Sequence, residues 1–238
     1  MGFADAARAE RLLLTDLGIT AAELRTDVLV TALAAVADPD LALTGLARIF
    51  DVAAHPHALR AALRSEQDFR ERLTAVLGVS AGLADHLARH PEDCEVLRGS
   101  GGPPTSAKLR EDMLHAVGVT PQDLAGPGDP VACGKEPTAA LAAAYRRRLL
   151  HLAARDMTGV ATVDAVAEEL ADIAAAVLEA ALAIARAELP AKAAPSRLAV
   201  LAMGKCGGRE LNYASDVDVI FVAEPVKDED ETAALATA

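Results

Sequence analysis

The sequence predicts a mostly α chain, a helical N-terminal region followed by the first strands of an α/β domain. Three observations lead there. Apolar residues make up 52% of the 238, much of this is alanine, and aromatics are only 3%; alanine is the strongest helix former. Apolar residues recur at helical spacing from the N-terminus to about residue 188. Two short aliphatic runs of strand character, "RLAVLAMG" at 197–204 and "VDVIFV" at 217–222, follow only after Pro195.

Residues 1 to about 98 read as short helices joined by tight turns. Thr20 and Glu23 have capping-box spacing ahead of Leu24, Val28, Leu29 and Leu33, which predicts a helix there. Pro39 opens another helix, Pro56 and Ser65 mark further starts, and Ser80 caps "AGLADHLARH", which Pro91 ends or restarts. "GSGGPP" at 99–104 and "GPGDPVACGKEP" at 126–137 are loops, because regular helix does not tolerate that density of Gly and Pro. Two long helices come next, about 138–157 and 162–188, the second with a broad apolar stripe. The expected organisation is a helical region over 1–125, a long-helix region over 138–190, and the α/β start over 196–238, with "PAKAAP" at 190–195 as linker.

Charge and composition narrow the function. A net charge of −12 argues against nucleic acid as a partner, since cationic side chains supply most of that affinity. No stretch approaches about 18 uninterrupted apolar residues, so no membrane span is expected. Three cysteines without a CxxC, and an N-terminus that carries Asp5 and Glu10 early, give a cytoplasmic expectation.

The chemistry concentrates in "GKCGGRELNYASDVDVIFV" at 204–222. On a strand, residues i and i+2 share a face, so Asp216 and Asp218 project together. Carboxylates that close repel each other, and a cation between them removes the penalty. Oxygen-only ligands suit Mg²⁺ or Mn²⁺, and Mg²⁺ commonly arrives with phosphates. Gly207 and Gly208, placed ahead of a short helix expected near 209–212, offer backbone N–H groups to a phosphate. Ser215 adds a donor, and Lys205 and Arg209 add positive charge. Cys206 reads as a passive loop residue. His86, His90 and Cys94 sit four apart, but Pro91 breaks the register and a solvated helix face is the expectation. Arg146, Arg147 and Arg148 suit either a nucleotide or partner contact or a solvated face, and the acidic tail suits a solvated one.

Strand, glycine pair, short helix and Ser-Asp-x-Asp on a second strand resemble the nucleotidyltransferase (polymerase-β-like) superfamily. "AMGKCGGRELNYASDVDVIF" at 202–221 is similar to the GMGKxGGxELNxxSDxDLIF pattern of the glutamine synthetase adenylyltransferase family, in its N-terminal catalytic half. "YRRRLLHLAARDMTG" at 145–159 is similar to that family's RRELLRIAARDL segment, with His151 where Arg is common. The resemblance is close over 138–222 and loose elsewhere. Asn212 and Tyr213, in place of a Thr-Ala stretch, point to the half that removes AMP.

The resemblance implies that Asp216 and Asp218 bind Mg²⁺ or Mn²⁺ and that Gly207, Gly208 and Ser215 hold nucleotide phosphate, with ATP or ADP as the nucleotide. It implies glutamine synthetase as protein substrate and a nitrogen-signalling regulator as a further partner. Inorganic phosphate would attack the adenylyl phosphorus on a modified tyrosine and release ADP. One departure matters. The superfamily uses a third carboxylate on a later strand, and none follows here in strand context. The chain is therefore expected to be a truncated piece, inactive alone. The rival expectation is a helical protein-interaction module with a vestigial catalytic stub; a small stand-alone nucleotidyltransferase fits less well, since those place the motif early in the chain.

Overall fold

The computed structural model describes residues 2–99, 101–125, 129–190 and 196–225. The chain divides into two compact units. The first holds residues 1–102 and 146–162, and the second holds 103–145 and 163–238.

The first unit is all helical: α1 (Ala6–Thr15), α2 (Val28–Ala35), α3 (Pro39–Val52), α4 (Pro56–Ser65), α5 (Gln67–Leu77), α6 (Ala81–Arg89) and a 3₁₀ segment, Pro91–Leu97. Asp5, Asp27, Asp38 and Ser80 each accept a backbone N–H at a helix start, which satisfies a donor the helix cannot. Pro39 and Pro56 stand at first-turn positions, where a missing N–H costs nothing. Leu13, Leu17, Leu29, Leu33, Leu43, Leu46, Phe69 and Leu73 form one buried core. Leu150, Ala153 and Ala154 join it from the later part of α9 (Pro137–Met157), whose earlier residues belong to the second unit.

Two sequence expectations are corrected in this unit. Glu23 Oε2 accepts from Thr20 N at 2.9 Å, one half of a capping box, and from the Thr20 hydroxyl at 2.7 Å, but the pair closes a turn; the helix begins at Val28, where Asp27 caps it and ion-pairs with Arg64 at 2.6 Å. Ser65 ends α4 and does not open α5, since its hydroxyl donates back to Ala61 O.

The His86 expectation is also overturned. Its side chain is 1% exposed, and Nε2 lies 2.8 Å from Asp93 Oδ2. Arg147 Nε reaches the other Asp93 oxygen at 3.2 Å, and the His90 ring lies 4.8 Å from that of His86. Pro91 does interrupt the helix, but the 3₁₀ segment it starts swings Asp93 back under α6. Arg147 is thereby engaged inside this unit. Burial also pushes the Cys94 thiol up to about 12.

A pH dependence follows. Burial holds His86 below the usual imidazole range, more strongly than Asp93 raises it, with His90 and Arg146 also lowering it. Burial lowers His151 too, helped by Arg155, Arg148 and Arg72. A histidine kept neutral by folding contributes stability above its unfolded pKa of about 6.5, and this is lost as pH falls through its folded value. The urea midpoint is expected to drop between about pH 7.5 and about pH 5. The drop should be smaller in His86→Gln, which keeps a donor for Asp93. Equal drops in both would show that His86 plays no part.

In the second unit, α7 (Ser106–Ala116) packs along α10 (Val163–Glu188). Leu109, Met113 and Leu114 of α7 are buried, as are Ala176, Ala180 and Ala183 of α10, and small residues let helices approach closely. Arg110 forks onto Glu179 at 2.7 and 2.5 Å. A short helix, α8 (Pro121–Ala125), follows α7. β1 (Ser196–Ala202) and β2 (Val219–Pro225) pair antiparallel, from Ser196 opposite Pro225 to Ala202 opposite Val219. Leu201, Ile220 and Val222 share one face, each about half exposed. A single helical turn, α11 (Gly204–Gly207), follows β1. Most of the residue 190–195 linker and the acidic tail lie outside the described residues.

Candidate nucleotidyl-transfer site

The candidate site is the connection from β1 to β2. Gly204 has φ +52°, a left-handed conformation that turns the chain off the strand immediately. The helical turn therefore forms over 204–207, and not near 209–212 as the sequence suggests. Gly207 N donates to Met203 O at 3.0 Å and Gly208 N to Gly204 O at 2.9 Å. Arg209 N and Glu210 N donate to Cys206 O and Lys205 O.

These bonds change how the glycine pair reads. Its N–H groups are spent closing the turn. A Cβ on Gly207 would stand 2.4 Å from Ala202 O, so this glycine is required by the contact of α11 with the end of β1. Gly208 has more room, its nearest neighbour being Gly204 O at 3.4 Å. The N–H groups of Gly204, Lys205 and Cys206 open the turn and have no acceptor within it.

Asp218 sits just before β2. Its carbonyl accepts from Met203 N at 2.9 Å, which extends the ladder one step beyond the strand pair. Asp216 and Val217 lie in the loop, because β1 has already turned away and leaves them no partner strand. The strand thus starts two residues later than the sequence suggests. Asp218 Oδ2 lies 3.7 Å from where a Cβ on Gly204 would be, so the carboxylate hangs over the start of α11. Asp216 and Asp218 are both exposed, and among the described residues neither carboxylate makes a hydrogen bond or ion pair.

The remaining candidates split by what they touch. Ser215 donates its hydroxyl to Asn212 Oδ1 at 2.9 Å, and Ala214 N donates to the same oxygen at 3.1 Å. Asn212 thereby closes a compact turn ahead of the carboxylates. Lys205 is exposed with no ion pair among the described residues. Arg209, at φ +58°, forks onto Asp172 of α10 at 2.6 and 3.1 Å. That hydrogen bond and charge raise the Arg209 pKa further. Asp172 is a positioning residue that sequence reasoning missed; it lies 37 positions upstream, on a helix whose pattern speaks only of packing. Cys206 is buried, and burial raises its thiol, which suits a packing role.

Two free carboxylates offer hard oxygen donors alone, the set that suits Mg²⁺ or Mn²⁺. Among the described residues no three His, Cys, Asp or Glu side chains converge, so two acidic ligands are what this segment supplies. Among those residues, too, no helix is long and apolar enough to cross a membrane.

Comparison with known proteins places the chain in a family. The family model for glutamate-ammonia ligase adenylyltransferase matches residues 70–237. The bifunctional glutamine synthetase adenylyltransferase/adenylyl-removing enzymes of Streptomyces avermitilis and Streptomyces coelicolor are 47% and 48% identical across the whole of this chain. That of Mycobacterium tuberculosis is 40% identical over 94% of it. In each case the chain spans about 22% of the relative's length. No solved structure matches. With a family match over more than half its length and relatives this similar, the chain belongs to the glutamate-ammonia ligase adenylyltransferase family.

Proposed function

We propose that the chain forms the helical region and the opening of the nucleotidyltransferase domain in the half that removes AMP from a glutamine synthetase tyrosine, by phosphorolysis with release of ADP. The observation behind this is the pair of unpaired carboxylates, Asp216 and Asp218, presented between a turn built by Gly204 and Gly207 and a turn closed by Asn212. The Asn212 side-chain oxygen takes both the Ala214 N–H and the Ser215 hydroxyl. The assignment to the AMP-removing half rests on the resemblance of residues 202–221.

Asp216 and Asp218 would hold Mg²⁺ or Mn²⁺, which when bound supplies neutralisation of phosphoryl charge. Ser215, oriented by Asn212, and the exposed Lys205 provide donors for phosphate oxygens of ADP or ATP. Gly207 sets how close α11 lies to β1. Arg209 acts through Asp172, fastening the loop to α10. Catalysis of this kind is mostly positioning and charge neutralisation. Glutamine synthetase is the protein substrate in this reading, and a nitrogen-signalling protein its regulator.

The isolated 238 residues, given adenylylated glutamine synthetase, phosphate and Mg²⁺, are expected to release no ADP. Extended by the residues that follow the matched segment in the relatives, the same chain is expected to release ADP in a phosphate-dependent way. Turnover by the isolated chain would refute the proposed inactivity. AMP transfer from ATP by the extended chain, without phosphorolysis, would refute the assigned half.

A further inference from the structure

We propose that the helical unit has a binding site for a small organic oxyanion, a carboxylate or phosphate ester, in the cleft between α1, α3 and the start of α4. The cleft measures about 590 Å³. That lies inside the range of roughly 300–1,000 Å³ that small-ligand sites occupy. Leu12, Ala47 and Phe50 give it an apolar floor.

Its charges are what point to an anion. Arg8 comes from α1 and Arg60 from α4, and among the described residues neither makes an ion pair. Among the described residues the one polar contact of the Arg8 side chain is long, Nη2 to Thr44 Oγ1 at 3.4 Å. Arg60 Nε is buried without a hydrogen-bond acceptor. Leaving a buried donor unsatisfied is costly, and more so for a charged group. The fold nevertheless accommodates this guanidinium. Its central carbon lies 5.7 Å from the Phe50 ring centre, and Gly18 leaves it space, since a Cβ there would stand 2.7 Å from Nη2.

Internal partners are at hand but are not used. Asp16 and Asp51 line the same cleft, yet neither forms an ion pair with Arg8 or Arg60. Asp16 is engaged by the Thr15 hydroxyl. Arg48, also on the rim, is held by Asp85. In a chain with 35 acidic and 23 basic side chains, two arginines without a carboxylate run against the charge balance. A guanidinium presents a planar fork that matches carboxylate and phosphate oxygens. A ligand with an oxyanion head and a short apolar body matches the two guanidinium groups and the floor.

The test uses calorimetric titration of the whole chain, without added metal, with succinate and with inorganic pyrophosphate as probes. At least one is expected to bind, and which one does separates the carboxylate from the phosphate source. Arg8→Ala, which removes one long contact from an exposed side chain, is expected to weaken binding by about tenfold or more. Arg60→Gln should do the same, while Arg25→Ala, at an exposed position outside the cleft, should leave binding unchanged. No binding of either probe, or equal binding by Arg8→Ala and the unaltered chain, would overturn the proposal.

Discussion

Asp218→Asn, placed in the chain extended as above, is expected to lower phosphate-dependent ADP release about a hundredfold or more, with the unfolding midpoint unchanged. The two halves of that expectation come from different atoms of one residue. The structural part is the backbone carbonyl, which takes the Met203 N–H and ends the β ladder. Asparagine keeps that carbonyl. The carboxylate makes no hydrogen bond or ion pair among the described residues, so its loss removes nothing that holds the fold. Neutralising phosphoryl charge is worth several kcal/mol in this kind of chemistry, and each 1.36 kcal/mol is a factor of ten. The apparent affinity for Mn²⁺ should weaken in parallel, and Asp216→Asn should behave likewise. A variant that loses activity only through unfolding, with unchanged Mn²⁺ affinity, would argue that Asp218 is structural.

The sequence reading and the structure agree on kind and differ mainly on register. The long helices, the prolines at helix starts and the Ser80 cap are local matters, settled within a few residues, and are found where expected. Four of the misplacements depend on a distant partner, whereas those of Ser65 and the 204–207 turn are local. The start of α2 is decided by Asp27, which meets Arg64 across 37 positions. His86 becomes a core residue because the 3₁₀ segment returns Asp93 to it. β2 loses Val217 because β1, fifteen residues earlier in the chain, ends at Ala202. Arg209, a candidate phosphate contact by charge alone, meets Asp172 of α10. Spacing identifies which residues share chemistry; it does not tell which charges the fold has already used. Asp216 and Asp218 have no such partner among the described residues.

Gly207 and Gly208 look interchangeable in the sequence, and the structure predicts opposite outcomes for them. Gly207→Ala is expected to be strongly damaging. The new Cβ would stand 2.4 Å from Ala202 O and 3.0 Å from its carbonyl carbon, and both belong to the backbone of β1. No side chain can swing aside to relieve that contact. Either α11 lifts from the strand, exposing Cys206 and Leu211, or the end of β1 moves and takes the Met203–Asp218 bond with it. Forcing atoms into a packed contact typically costs about 1–3 kcal/mol. Because the displaced bond positions Asp218, activity of the extended chain should fall about tenfold to a hundredfold. Hydrogen exchange across 203–211 should accelerate even where the global midpoint moves little. Gly208→Ala meets its nearest atom at 3.4 Å, at a backbone φ of −77° that any residue adopts. It should leave both measurements within about twofold of the unaltered chain. If both glycines served as a bare cradle for phosphate, the two alanines would cost alike. A large loss confined to Gly207 is the signature of a glycine needed for the approach of α11 to β1.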